Sequence, residues 1–160
     1  MRQAAVTRLA TWLATCFGLG RFPIAPGTLT SAVATLCSVP LVQLGWKALV
    51  AGIVCVTALG IPACGTYARS NLIYDPPDCV LDEVAGQWLA LLPVAIALRG
   101  GDWSAYFVGF LAFRLFDIWK PWPVWWVERL PGGAGIMADD IFAAAYAALL
   151  VFGALSIGWA

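Results

Sequence analysis

Long stretches without a charge alternate along this chain with short segments crowded with Gly, Pro, Trp and acidic residues. Residues 4–17 set Val6, Leu9, Leu13, Cys16 and Phe17 at helical spacing, with Thr7, Arg8, Thr11 and Thr15 opposite. That pattern predicts an amphipathic helix lying in a membrane interface. After a Gly- and Pro-rich loop over 18–27, apolar runs cover 28–44, 48–68, 84–98, 103–119 and 141–157. A turn at 43–47, a polar loop at 69–83, a turn at 99–102 and a long loop at 120–140 separate them. Pro62 and Gly65 are expected to kink the second run or end it early. A straight span needs roughly 20 residues, so the shorter runs must borrow loop residues or sit in thinned bilayer. The pattern predicts an all-α, polytopic membrane bundle. It has about five transmembrane helices behind the interfacial helix, in a single domain over 1–160.

Composition strengthens that reading. Hydrophobic residues make up 62% of the chain and charged residues 11%, against about a quarter charged in a soluble domain. Nine Lys/Arg balance nine Asp/Glu, so there is no basic footprint for nucleic acid. The chain has no histidine, which excludes Ser-His-Asp triads, Cys-His pairs and His-ligated zinc. Five cysteines without a CxxC read as small buried hydrophobes rather than disulfides or metal ligands.

The charges also carry a topology. With the N-terminus on one side, Arg2, Arg8, Arg21, Arg69, Arg114, Lys120 and Arg129 share that side, and Lys47 and Arg99 lie opposite. The bias assigns the first side to the cytoplasm. The acids, which that rule does not use, segregate in the same way. Asp75, Asp78, Asp82, Glu83, Asp117, Glu128, Asp139 and Asp140 are cytoplasmic, and Asp102 is opposite. Alternate loops therefore converge on one polar face, which is the candidate site.

Asp82 and Glu83 precede the third run, Asp117 ends the fourth, and Asp139 and Asp140 precede the fifth. Helix capping explains one acid of each N-terminal pair. It does not explain Asp117, which stands at a C-terminal end where the dipole disfavours it. A shared metal site explains all five, and oxygen-only ligands imply a hard cation, Mg²⁺ first and Mn²⁺ second. Arg114, Asp117 and Lys120 fall on one side of a helix at i, i+3, i+6, either as a ladder of ion pairs or as cations flanking a metal-bound acid to hold an anion. Arg21 and the Pro26-Gly27-Thr28 helix start could cradle a phosphate on backbone amides, and Gly132–Gly135 is a second segment able to approach a ligand closely. A cation transporter using the acids as an ion site is the alternative, but it needs polar residues at the midplane and the centres of the runs are apolar.

Four blocks carry a resemblance: Ala25-Pro-Gly-Thr28, Leu81-Asp-Glu-Val-Ala-Gly-Gln-Trp88, residues 113–123 (FRLFDIWKPWP), and residues 132–140 (GGAGIMADD). In this order, over roughly residues 18–150, the chain resembles the phosphatidylglycerophosphatase A family. It departs at Thr30, where the family often has Gly, and at Ala144, where it usually has Gly. The resemblance implies a Mg²⁺-dependent phosphatase of the bacterial inner membrane with its site facing the cytoplasm. That enzyme would hydrolyse the phosphomonoester of a phospholipid substrate, phosphatidylglycerophosphate. Asp82, Glu83, Asp117, Asp139 and Asp140 would be metal ligands and catalytic acids. Arg21, Gly27, Thr28, Arg114 and Lys120 would bind the substrate, with Lys120 also catalytic.

Overall fold

The computed structural model describes residues 2–158, with side chains from residue 4 onward. Arg2, one of the cations counted for topology, lies outside the described side chains. Among the described residues the fold is all helical, in the order α1 (Arg2–Ala14), a 3₁₀ segment (Cys16–Arg21), α2 (Pro26–Leu44), α3 (Trp46–Asn71), α4 (Leu81–Ala90), α5 (Leu92–Ile96), α6 (Trp103–Trp119), α7 (Val124–Val127) and α8 (Gly133–Ser156). The N-terminal helix predicted over 4–17 stops at Ala14, because Phe17 and Gly18 take positive φ angles of 57° and 97°.

The outer surface is apolar where a soluble domain's would be polar. Leu36, Val54, Phe107, Leu115, Leu149 and Phe152 point outward, while α2 buries Thr30, Ser31, Thr35 and Ser38. Thr35 donates to the Ser31 carbonyl one turn back at 2.9 Å and Ser38 to the Thr35 carbonyl at 2.6 Å, so these two hydroxyls are satisfied inside the helix itself. Lipid can receive the large apolar side chains, and small residues on the inner faces let helices approach closely. Central α8 packs on α3, α4 and α6 through Ala143, Ala144 and Ala147, all fully buried.

Among the described residues three helices, α2, α3 and α8, are long and apolar enough to cross a membrane, which does not confirm the count of about five. The run predicted at 84–98 is broken at Leu91 into α4 and α5, because Pro93 has no N–H to continue the ladder. The run at 103–119 gives α6 with 17 residues, short of a full span. Asp102 fixes its start by accepting from the amides of Ser104 (3.0 Å) and Ala105 (3.4 Å).

Two further boundaries differ from expectation. Helix α3 runs through Pro62 and Gly65 to Asn71. Pro62 lies on an exposed position, where a freed carbonyl disturbs no packed neighbour. Helix α8 starts at Gly133, not at 141. The glycines expected to approach a ligand instead approach a helix: a Cβ on Gly133 would overlap the carbonyl oxygen of Ile61 and the amide of Gly65 on α3.

Candidate active site

The polar loops meet at one end of the bundle in a cleft of about 350 Å³. The start of α2 contributes Gly27 and Thr28, the loop before α4 contributes Asp75 and Cys79, and α4 contributes Asp82 and Glu83. The end of α6 brings Arg114, Asp117 and Lys120, and α8 brings Asp139 and Asp140. The opposite end carries the Arg99–Asp102 ion pair at 3.5 Å. Charge in an apolar chain has been gathered to one face, as the alternation of loops predicted.

Each group is held by an identifiable local cause. Asp82 and Glu83 fall in the first turn of α4, where the dipole favours acids, but the N-cap is Val80 and no side chain caps the helix. Asp139 and Asp140 sit about two turns inside α8 rather than ahead of it, so capping does not account for them at all. Lys120 is the αL cap of α6, with φ 45°. That turn takes its side chain off the Arg114–Asp117 line, so the three groups do not form a single ladder.

Arg114 pairs with Glu83 and, at 3.0 Å, with Asp117. Ser31 donates to the same Glu83 carboxylate at 2.6 Å. Lys120 reaches Asp139 at 2.8 Å and Glu128 at 3.2 Å. Burial works against the Lys120 ammonium, but the hydrogen bonds and charges of Asp139 and Glu128 outweigh it and hold its pKa above the ordinary lysine value. Desolvation raises the Asp75 carboxyl above its usual range, with the Lys120 charge opposing. The Cys79 thiol is pushed up by a hydrogen bond with Cys64 and by burial, which leaves it a poor nucleophile.

Two polar atoms of this cluster are buried without a partner: Asp140 Oδ2 and Arg114 Nε. An acceptor and a donor left unmatched in a packed interior cost free energy, and a ligand offering both a cation and anionic oxygens would satisfy both. Six carboxylates (Asp75, Asp82, Glu83, Asp117, Asp139, Asp140) surround two cations here. The donor chemistry suits a hard divalent ion. Among the described residues no three acids are already drawn together as a metal-binding group, because Arg114 and Lys120 hold Glu83, Asp117 and Asp139 as ion pairs.

Arg21 is placed apart from the other site candidates. It closes the 3₁₀ segment beside Tyr67 and does not line the cleft. Sequence reasoning passed over Ser31 and counted Asp75 on the polar face without naming it a site residue. Ser31 lies one turn after Gly27, a spacing that could have flagged it. Gln87 is four residues after Glu83 on the same face of α4, fully buried with neither amide atom partnered.

A helical membrane bundle with buried acids and cations at one end of its spans defines a class: an integral membrane enzyme acting on an anionic group. The family model described as phosphatidylglycerophosphatase A matches residues 12–155. The chain is 36% identical over 141 residues to phosphatidylglycerophosphatase A of Escherichia coli (strain K12), covering 88% of this chain and 80% of that protein. It is 35% identical to the protein of the same name in Haemophilus influenzae, covering 88% and 85%. A Bacteroides thetaiotaomicron protein provisionally named a phosphatidylinositol-3-phosphatase is 35% identical, covering 89% and 91%. No solved structure matches the chain. The chain belongs to the phosphatidylglycerophosphatase A family and is a lipid phosphatase, a phosphoric monoester hydrolase.

Proposed function

We propose that the protein hydrolyses the terminal phosphomonoester of phosphatidylglycerophosphate to phosphatidylglycerol and phosphate, with Mg²⁺ or, second, Mn²⁺. We place it in the bacterial inner membrane with the cleft facing the cytoplasm. The observation that carries the reaction is the pairing of unmatched Asp140 Oδ2 with unmatched Arg114 Nε in one buried cleft. The Lys/Arg distribution supports the orientation, and two relatives named for this substrate support its identity.

Asp82, Glu83, Asp117, Asp139 and Asp140 would hold the metal, which when bound supplies charge neutralisation at the phosphate and lowers the pKa of water. Arg114 and Lys120 now spend their charge on Glu83, Asp117 and Asp139. An arriving phosphate replaces those carboxylates on the two cations, which frees the acids for the metal. The acids so released would then be the ones that hold the metal. The amides of Gly27 and Thr28 stand ahead of the α2 ladder, whose first bond runs from Leu29 N to Ala25 O at 3.1 Å. They can donate to phosphate oxygens at the positive end of the helix. The acids also supply the base that takes a proton from the attacking water. As the bond from phosphorus to the lipid oxygen breaks, that oxygen takes a proton from the protonated acid and leaves as the hydroxyl of phosphatidylglycerol.

The transporter alternative lacks support in the bundle's centre, which is packed with Leu49, Leu91, Val94 and Phe113. Purified protein in mixed micelles of phosphatidylglycerophosphate should release inorganic phosphate with Mg²⁺ and stop with EDTA. Turnover undiminished by EDTA would refute the metal. No release under any divalent ion, with hydrolysis of another lipid phosphomonoester, would refute the substrate.

A further inference from the structure

Two of the helices that wall the polar cleft also wall a second cavity of opposite character, about 340 Å³ and lined almost wholly by apolar atoms. Along α4, Asp82 and Glu83 line the cleft, while Leu81, Val84 and Trp88 line the cavity. Along α2, Gly27 and Thr28 belong to the cleft, and Thr30, Val33 and Ala34 to the cavity. The indole N–H of Trp88 donates to the carbonyl of Ala34 at 2.9 Å, tying the two walls together. Phe17 (74% exposed) and Leu59 (50% exposed) are also part of the lining, so the cavity opens onto the surface that faces lipid.

One polar group interrupts this lining. Thr30 is 1% exposed, and its Oγ1 is buried without a hydrogen-bond partner. Its neighbours Ser31, Thr35 and Ser38 all have hydrogen-bond partners, so among the buried hydroxyls of α2 the orphan is at Thr30. Thr30 lies two residues beyond Thr28, between the phosphate-binding helix start and the apolar walls.

We propose that this cavity holds an acyl chain of the lipid substrate, and that the Thr30 hydroxyl donates to an ester oxygen at the root of that chain. The proposal rests on the lipid-phosphatase reading of the cleft. A lipid whose phosphate sits by Gly27, Thr28 and Arg114 must send its tails into the bilayer alongside α2 and α4, and the cavity lies between those helices. Its volume falls at the small end of the roughly 300–1,000 Å³ typical of ligand sites, which suits one chain rather than two. An apolar cavity does not hold ordered water, and a lipid tail is the apolar material at hand. The second tail stays in the bilayer.

Two arms test this. In the first, phosphatidic acid carrying a diazirine in one acyl chain is photolysed with the full-length protein in micelles. Crosslinks should map to Val33, Ala34, Leu59 or Val84. Excess unlabelled phosphatidic acid should compete them away and phosphatidylcholine should not, while labelling of Leu149 and Phe152 on the outer face of α8 resists both. Uniform labelling, or cavity labelling that phosphatidic acid does not compete, overturns the proposal. In the second arm, Ala34→Trp fills the cavity. Turnover of the diacyl substrate should fall at least tenfold through KM, with hydrolysis of the deacylated headgroup analogue unchanged. Equal losses on both substrates overturn it. Should Ala34→Trp fail to fold, Thr30→Val keeps the shape and removes the hydroxyl. Its KM for the diacyl substrate should rise about two- to tenfold, the worth of one neutral hydrogen bond, with the deacylated analogue unaffected; no rise overturns the role of Thr30. If the wild type hydrolyses neither substrate, the reading of the cleft fails, and the crosslinking arm still decides the cavity.

Discussion

A methyl group on Gly27 would enter the one gap that the Glu83 carboxylate fills. A Cβ there overlaps Glu83 Oε1, stands 3.1 Å from its Cδ and lies 3.6 Å from Arg114 Nη1. Glu83 cannot simply swing aside, because Arg114 and Ser31 both hold it. The backbone itself welcomes the change: Gly27 is not among the positive-φ residues, and Ala is favoured over Gly in a helix by roughly 0.5–1 kcal/mol. Against this stands the loss or lengthening of one charge-assisted hydrogen bond, roughly 1.5–3 kcal/mol. Gly27→Ala should therefore be destabilised by about 0.5–2.5 kcal/mol and lose about ten- to a hundredfold in kcat/KM. Phosphate release from lipid micelles and thermal unfolding in detergent measure the two effects. Gly153→Ala is the matched control. It is also helical, but nothing lies within 4 Å of its added Cβ, so it should gain roughly 0.5–1 kcal/mol at unchanged turnover. A Gly27→Ala protein as active and as stable as the parent would show that Glu83 is not held against the start of α2, and the geometry drawn for the cleft would fall.

Lys120→Met should lower kcat/KM about ten- to a hundredfold and modestly lower the melting temperature, because buried Asp139 loses its cation; a lowered melting temperature at wild-type turnover would assign Lys120 to structure alone. Asp140→Asn removes a charge with little change of shape, so the protein should insert normally and turn over nothing; wild-type turnover would remove Asp140 from the site. Reporter fusions at residues 45 and 100 should be periplasmic and those at 72 and 128 cytoplasmic, and periplasmic signal at 128 would invert the proposed orientation.

The gathering of acids on one face was legible because carboxylates in so apolar a chain have few places to go. Asp82, Glu83, Asp117, Asp139 and Asp140 do line one cleft. What sequence could not display was competition. Lys120 was expected to stand along Asp117 on one helix face, but its αL backbone hands it to Asp139 and Glu128, partners remote in the chain. Ser31 was hidden because nothing in an apolar run marks the distant carboxylate of Glu83 to which its hydroxyl donates. The start of α8 was read too late because Gly132–Gly135 looks like a loop until α3 is packed against it. Pro62 was expected to interrupt α3, whereas Pro93 did interrupt the α4–α5 run. The local chemistry is the same, and a single sequence holds no sign of which one the surrounding helices tolerate.

The shortness of α6 has a consequence for the lipid around it. At 1.5 Å per residue, its 17 residues extend about 25 Å, against a hydrocarbon layer of roughly 30 Å. Were α6 to span the membrane, the bilayer would thin toward it to meet that difference. The Arg114–Asp117–Lys120 end of α6 lines the cleft, so such thinning would bring headgroups and water to the cleft without a channel through the protein.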